Sequence, residues 1–155
     1  MRLVKKEEIV EKLFFKSILI ATDGSEEAAK AAKFAFNLVD KKNGRVWCIS
    51  IIDTLVAKEF SKTTGEGFEA VKSRLHEKCF NHLKETEKLG EKCGIKIKVK
   101  LLEGIPHTEI VTFAVKQNID LIVMGKTGRG GKHHPVGSVT AKVIENSSCC
   151  VLVVK

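Results

Sequence analysis

Five short apolar runs, each separated from the next by a stretch long enough for a helix, constrain this chain more than any other feature. The runs are Ser17 to Thr22, Arg45 to Ile52, Ile95 to Leu101, Ile119 to Met124 and Val151 to Val154. Between them the apolar spacing becomes helical. Ser25 to Val39 puts Ala28, Ala31, Ala32, Ala35, Leu38 and Val39 on one face, with Ser25 placed to cap and Glu26 and Glu27 in the first turn. Phe68 to Glu91 reads as a long helix ended by Cys93-Gly94. Gly104 to Gln117 reads as another, with Pro106 near its first turn, and Gly137 to Asn146 as the last. Ser61 to Gly67 is polar, rich in turn-formers and without clear period, and reads as a connection. Strands joined by crossovers of helical length build a parallel sheet covered on both faces. The expected class is therefore α/β, an open five-stranded sheet.

Positions within the sheet follow from the patterns. Ile95, Ile97, Val99 and Leu101 alternate with Lys96, Lys98 and Lys100, so this strand has one wet face and belongs at an edge. The first, second and fourth runs are the most apolar and belong at the centre. Val151 to Val154 is apolar, without interior lysines, and is expected at the other edge. An unprotected apolar edge pairs readily, which predicts a homodimer through the C-terminal strand.

After the fourth run comes Met124-Gly125-Lys126-Thr127-Gly128-Arg129-Gly130-Gly131, and then Gly137-Ser138-Val139 at a helix start. A strand, a glycine-rich loop and a helix N-terminus in series offer backbone N–H groups and a helix dipole to an anion. The alternative is a mobile surface loop whose glycines only make turns. Asp23-Gly24-Ser25 follows the first run. If the first and fourth strands are neighbours, both loops face one crevice at the carboxyl edge, where such sheets bind ligands. Asp23 reads either as a ligand-binding carboxylate or as a helix-entry cap. Arg129 and Lys132 read either as phosphate contacts or as solvated charges.

Composition narrows the function classes. At 155 residues the chain is expected to form one domain, 1–155, with 1–15 as an N-terminal extension in which Glu7 to Phe15 reads as a short amphipathic helix or a loose arm. No apolar run approaches the roughly 20 residues of a membrane span, and Met1 to Lys12 lacks the apolar core of a signal peptide. The reading is cytoplasmic, without membrane partners. The net charge of +8 suits phosphate ligands, but the lysines are dispersed and tyrosine is absent, so a nucleic-acid partner is not expected. The five cysteines form no C-x-x-C pair, and adjacent Cys149 and Cys150 rarely make a structural disulfide. His133 and His134 are adjacent, which is poor for chelating one metal, so no structural zinc is expected. No Gly-Lys-Ser/Thr closes the glycine loop as in a P-loop, and no activated nucleophile is recognisable.

Four segments, in order, resemble the universal stress protein family: Ile18-Leu19-Ile20-Ala21-Thr22-Asp23-Gly24-Ser25-Glu26, Gly104-Ile105-Pro106-His107-Thr108-Glu109-Ile110-Val111, the glycine loop through Gly137-Ser138-Val139, and Val151-Leu152-Val153-Val154. The resemblance covers roughly Lys16 to Lys155. It implies a Rossmann-like sheet of order 3-2-1-4-5 and, for the ATP-binding branch, ATP with Mg2+. By the same resemblance Asp23 would reach the ribose or metal region, Ile51 and Met124 would meet adenine, and Gly125 would lie by the ribose. Gly128, Gly137, Ser138 and Val139 would offer phosphate donors. The sequence departs from the branch pattern at one point: eight residues, Arg129 to Val136, separate Gly128 from Gly137, where the branch has nine.

The expected function is an ATP-binding sensor or adaptor of stress responses that acts through a protein partner the sequence does not identify. Any ATP hydrolysis would be slow, since no general base stands out. The alternative is a dimeric interaction protein of the same fold that binds no nucleotide.

Overall fold

The computed structural model describes residues 14–129 and 135–155. The strands are β1 (Ser17–Ala21), β2 (Arg45–Asp53), β3 (Ile97–Gly104), β4 (Leu121–Gly125) and β5 (Cys150–Val154). The helices are α1 (Glu26–Leu38), α2 (Thr54–Thr64), α3 (Phe68–Lys92), α4 (Pro106–Lys116) and α5 (Ser138–Asn146). All strand pairs are parallel, and the sheet order is β3-β2-β1-β4-β5. The implied order and both edge assignments are as expected.

Each face of the sheet has its own core. Ile18, Ile20, Val46, Cys48 and Val123 pack with Ala31, Ala35 and Phe36 of α1 and Leu83 of α3. Leu19, Ile49, Ile122 and Met124 pack with Ile110 and Ala114 of α4 and Val143 of α5. The small residues of α1 let the helix lie close to the sheet, and its alanines are buried as the spacing predicts.

Three details differ from the sequence reading. The segment after β2 is a helix rather than an irregular connection. Asp53 caps α2 by accepting from the N–H groups of Leu55 and Val56, and Gly65, at φ +74°, closes it. The third strand is shifted toward the C-terminus, because Ile95 donates its N–H back to Gly90 at 2.9 Å and is held in the helix-ending turn. The strand then runs to Gly104, which pairs with Asp53. The fourth strand begins at Leu121, because Ile119 still bonds the end of α4 through Ala114. The carboxylate of Asp120 accepts from the N–H groups of Lys16 and Ser17 and fastens the amino ends of β4 and β1 together. Phe15 pairs with Val39, so it joins the sheet margin; of the Glu7 to Phe15 reading, residues 7–13 lie outside the described residues.

Candidate functional site

Reversal of the strand order between β1 and β4 leaves a crevice at their carboxyl ends. A cavity of about 660 Å3 opens there, within the range of small-molecule sites. Asp23 enters it from the β1–α1 turn, Ile51 from the end of β2, and Met124 and Gly125 from the end of β4. Gly128 lines it from the glycine loop, and Gly137, Ser138 and Val139 from the start of α5. The fold thus brings all eight sequence-predicted residues to one cavity. Of the two other cations considered, Arg129 also lines it, whereas Lys132 lies outside the described residues.

The loop is built by specific bonds. Lys126 donates its N–H to Val154 at 2.7 Å, and Gly137 donates to Lys126 at 2.9 Å, which ties both ends of the glycine loop to the sheet edge. Thr127 gives its N–H and its hydroxyl to one oxygen of Glu27, at 2.7 and 2.8 Å. These bonds from Thr127 hold the Glu27 carboxyl below its ordinary value of 4.5. Gly125 is required by packing: a Cβ there would stand 2.9 Å from the Glu27 Cβ. Its lack of side chain therefore lets α1 approach β4, apart from any part in ligand contact.

Asp23 performs the helix-entry role and also a loop-docking one. One carboxylate oxygen accepts from Ser25 N–H at 2.9 Å and shapes the helix entry, while Ser25 itself caps α1 through Ala28. The other accepts from Arg129 N–H at 3.1 Å, so the carboxylate also docks the glycine loop. A Cβ on Gly128 would meet that same oxygen at 2.6 Å.

At α5 the backbone is left open. The N-cap is Gly137, and no side chain caps the first turn. The N–H groups of Ser138, Val139 and Thr140 therefore lack intrahelical acceptors at the positive end of the dipole. Thr140 pins this end to β4 by donating its hydroxyl to the Gly125 carbonyl at 3.0 Å. The apolar wall, with Ile51, Ile110, Met124 and Val139, is suited to a flat ring, and the loop end to an anion.

Several cavity residues escaped the sequence reading. Asp53, Lys78, Cys79 and His82 come from the end of β2 and from α3. His82 is 8% exposed, packs its ring against Gly24, and has Nε2 2.9 Å from an Arg129 nitrogen. Burial, reinforced by Arg129, pushes its proton affinity below the ordinary value of 6.5. Nothing local in the sequence distinguishes this histidine from a solvent-facing one. Glu27 was legible only as a first-turn acid.

Fold and crevice together define a doubly wound α/β protein with an open cavity at its switch point. The chain belongs to the universal stress protein family, whose model matches residues 14–155. It is 41% identical over 143 residues to a universal stress protein of Methanocaldococcus jannaschii, covering 91% of this chain and 82% of that one. The solved structure of a second universal stress protein of that organism superposes with a TM-score of 0.79 at 35% identity, covering 92% and 96% of the two chains. Two more distant structures share the fold. One, a universal stress protein in complex with cAMP, has a TM-score of 0.64 at 20% identity and covers 92% and 98%. The other, the Archaeoglobus fulgidus protein in complex with dAMP, has a TM-score of 0.68 at 20% identity and covers 92% and 99%. Those two proteins each hold an adenine nucleotide.

Proposed function

We propose that this chain is an ATP-binding member of its family, a single-domain sensor or adaptor whose contacts with other proteins depend on whether the cavity holds nucleotide. The observation that carries the reading is the pairing, in one cavity, of an apolar wall with the uncapped N-terminus of α5. Adenine would lie against Ile51 and Met124, with the ribose by Gly125 and Asp23. The phosphates would accept from the N–H groups of Gly128, Gly137, Ser138 and Val139, and from the Ser138 hydroxyl. The cAMP and dAMP complexes of relatives support the choice of an adenine nucleotide.

Mg2+ fits this site only as a companion of the phosphates. Among the described residues no group of three or more His, Cys, Asp or Glu could hold a metal ion. The Asp23 carboxylate spends part of its capacity on Ser25 and Arg129 but keeps lone pairs for one metal contact. Mg2+ commonly takes one or two carboxylates together with substrate phosphates.

The eight-residue spacing between Gly128 and Gly137 favours a second reading, a dimeric interaction protein without nucleotide. In both readings the homodimer forms through β5, whose middle residues Val151, Leu152 and Val153 are only partly buried. Among the described residues no helix is long and apolar enough to cross a membrane. Mass spectrometry of small molecules released from the purified protein separates the readings: ATP at near-stoichiometric yield supports the first. Its absence, together with failure to load added ATP, supports the second.

A further inference from the structure

The Arg129 side chain crosses from the glycine loop to the opposite wall and is anchored there twice. One terminal nitrogen donates to the Gly24 carbonyl at 3.2 Å and lies 2.9 Å from His82 Nε2. A guanidinium cannot accept a hydrogen bond, so Nε2 must accept, and His82 must be the neutral tautomer that carries its proton on Nδ1. That Nδ1 is buried and has no partner. A neutral histidine with an unpartnered N–H is costly to keep inside a protein. What it provides is a fixed acceptor for Arg129. Both protons of the anchored nitrogen are consumed, and three N–H donors of the guanidinium remain. Arg129 itself is exposed at the rim, whereas Ile110 and Met124 are buried against the apolar wall.

We propose that Arg129 is the residue by which this cavity distinguishes nucleoside triphosphate from monophosphate, and that His82 is its positioning residue. The inference rests on the nucleotide reading above and adds to it the selectivity of the same site. A ring seated on the Ile51–Met124 wall sends its phosphates toward the loop. The first phosphate meets the α5 N-terminus, and the outer ones reach the rim. A guanidinium already fastened there loses little side-chain freedom when it binds them. Its remaining donors make charge-assisted bonds to phosphate oxygens.

The arrangement is sensitive to protons. A second proton on His82 would turn its acceptor into a donor and set a cation against Arg129. The charged groups facing His82 are Arg129 from the loop, Asp23 from the β1–α1 turn, and Glu85 and Lys78 from its own helix. Burial and Arg129 keep the neutral form at neutral pH, and acid removes it. Triphosphate preference therefore falls on acidification through the step at His82.

The test measures binding of ATP and AMP by calorimetry to the full chain and to Arg129→Ala, His82→Ala and His82→Gln. Arg129→Ala changes an exposed loop side chain and leaves the fold intact. It lowers the ATP-to-AMP affinity ratio by about tenfold or more, the scale of a lost charge-assisted hydrogen bond. His82→Ala lowers it in the same sense. His82→Gln, whose amide oxygen accepts but does not titrate in this range, restores it. On acidification below 6.5, the ordinary histidine value, the ratio falls in wild type and stays flatter in His82→Gln, the nucleotide's own titration being common to both. An unchanged ratio in Arg129→Ala overturns the inference and leaves the nucleotide reading standing. Parallel pH profiles in wild type and His82→Gln overturn the role of His82. Binding of neither nucleotide overturns the underlying reading and this one with it.

Discussion

Gly24 is where the account is easiest to break with one methyl group. It lies at φ +74°, and a Cβ built there runs into the Cδ2, Nε2 and Cγ atoms of the His82 ring. Two independent penalties follow for Gly24→Ala. An L-residue in the left-handed region costs about 1–2 kcal/mol. Overpacking against a buried ring costs about 1–3 kcal/mol, because His82 is wedged between Gly24 and Arg129 and can move away only by breaking the Arg129 contact. The expected total is about 2–5 kcal/mol of unfolding free energy. A double-mutant cycle in urea separates the two parts. With His82→Ala as background the ring is gone, so Gly24→Ala costs only the backbone part, about 1–2 kcal/mol. Equal costs of Gly24→Ala in the two backgrounds would show that the ring does not press on Gly24, and the packing of α3 against the site would be wrong.

Three further outcomes follow from the same geometry. In native protein, thiol reagents modify exposed Cys93 and Cys150 first and Cys48 only on unfolding, since burial pushes the Cys48 thiol up to about 12; prompt native labelling of Cys48, read by peptide mapping, contradicts its place under α3. The Glu27 carboxylate has a lowered folded value, so its stabilisation is present above 4.5 and is lost as pH falls through that lower value. Glu27→Gln accordingly flattens this part of the acid limb in pH-dependent unfolding, and an unaltered limb counts against the Thr127 bonds. Val153→Lys places a charge in the middle of the edge strand β5 and is expected to convert dimer to monomer in light scattering; unchanged assembly locates the dimer contact on another surface.

The sheet was legible because its signals are local and strong. Near-continuous apolar runs mark β1, β2 and β4, and the Ile–Lys alternation marks β3 as an edge strand. The loops of the site were legible for the same reason, since Asp23 and the glycine loop each follow a central strand. The helix Thr54–Thr64 was not, because it buries only Ala57 and so has no helical apolar period to read. Its remaining signals were Asp53 before it and Gly65 after it, a capping pair that is visible in hindsight. His82, Cys79 and Lys78 stayed hidden for a different reason. They reach the cavity only because α3 crosses the sheet at the right height, and no residue near them encodes that crossing. Gly125 shows the converse: its place by the crevice was readable, but the need of α1 for the space above it was not.

Calorimetric titration of the wild-type chain with Mg-ATP, with Gly128→Val in parallel, tests the central claim most directly. A side chain at residue 128 collides with the Asp23 carboxylate and fills the approach of the loop to the phosphates, while the sheet lies elsewhere. Saturable one-to-one binding to wild type, weakened by about tenfold or more in a folded Gly128→Val variant, is the predicted result. No heat of binding to wild type at about millimolar Mg-ATP would contradict the claim and leave the nucleotide-free dimer as the reading. Equal affinity in both proteins would put the nucleotide outside this cavity.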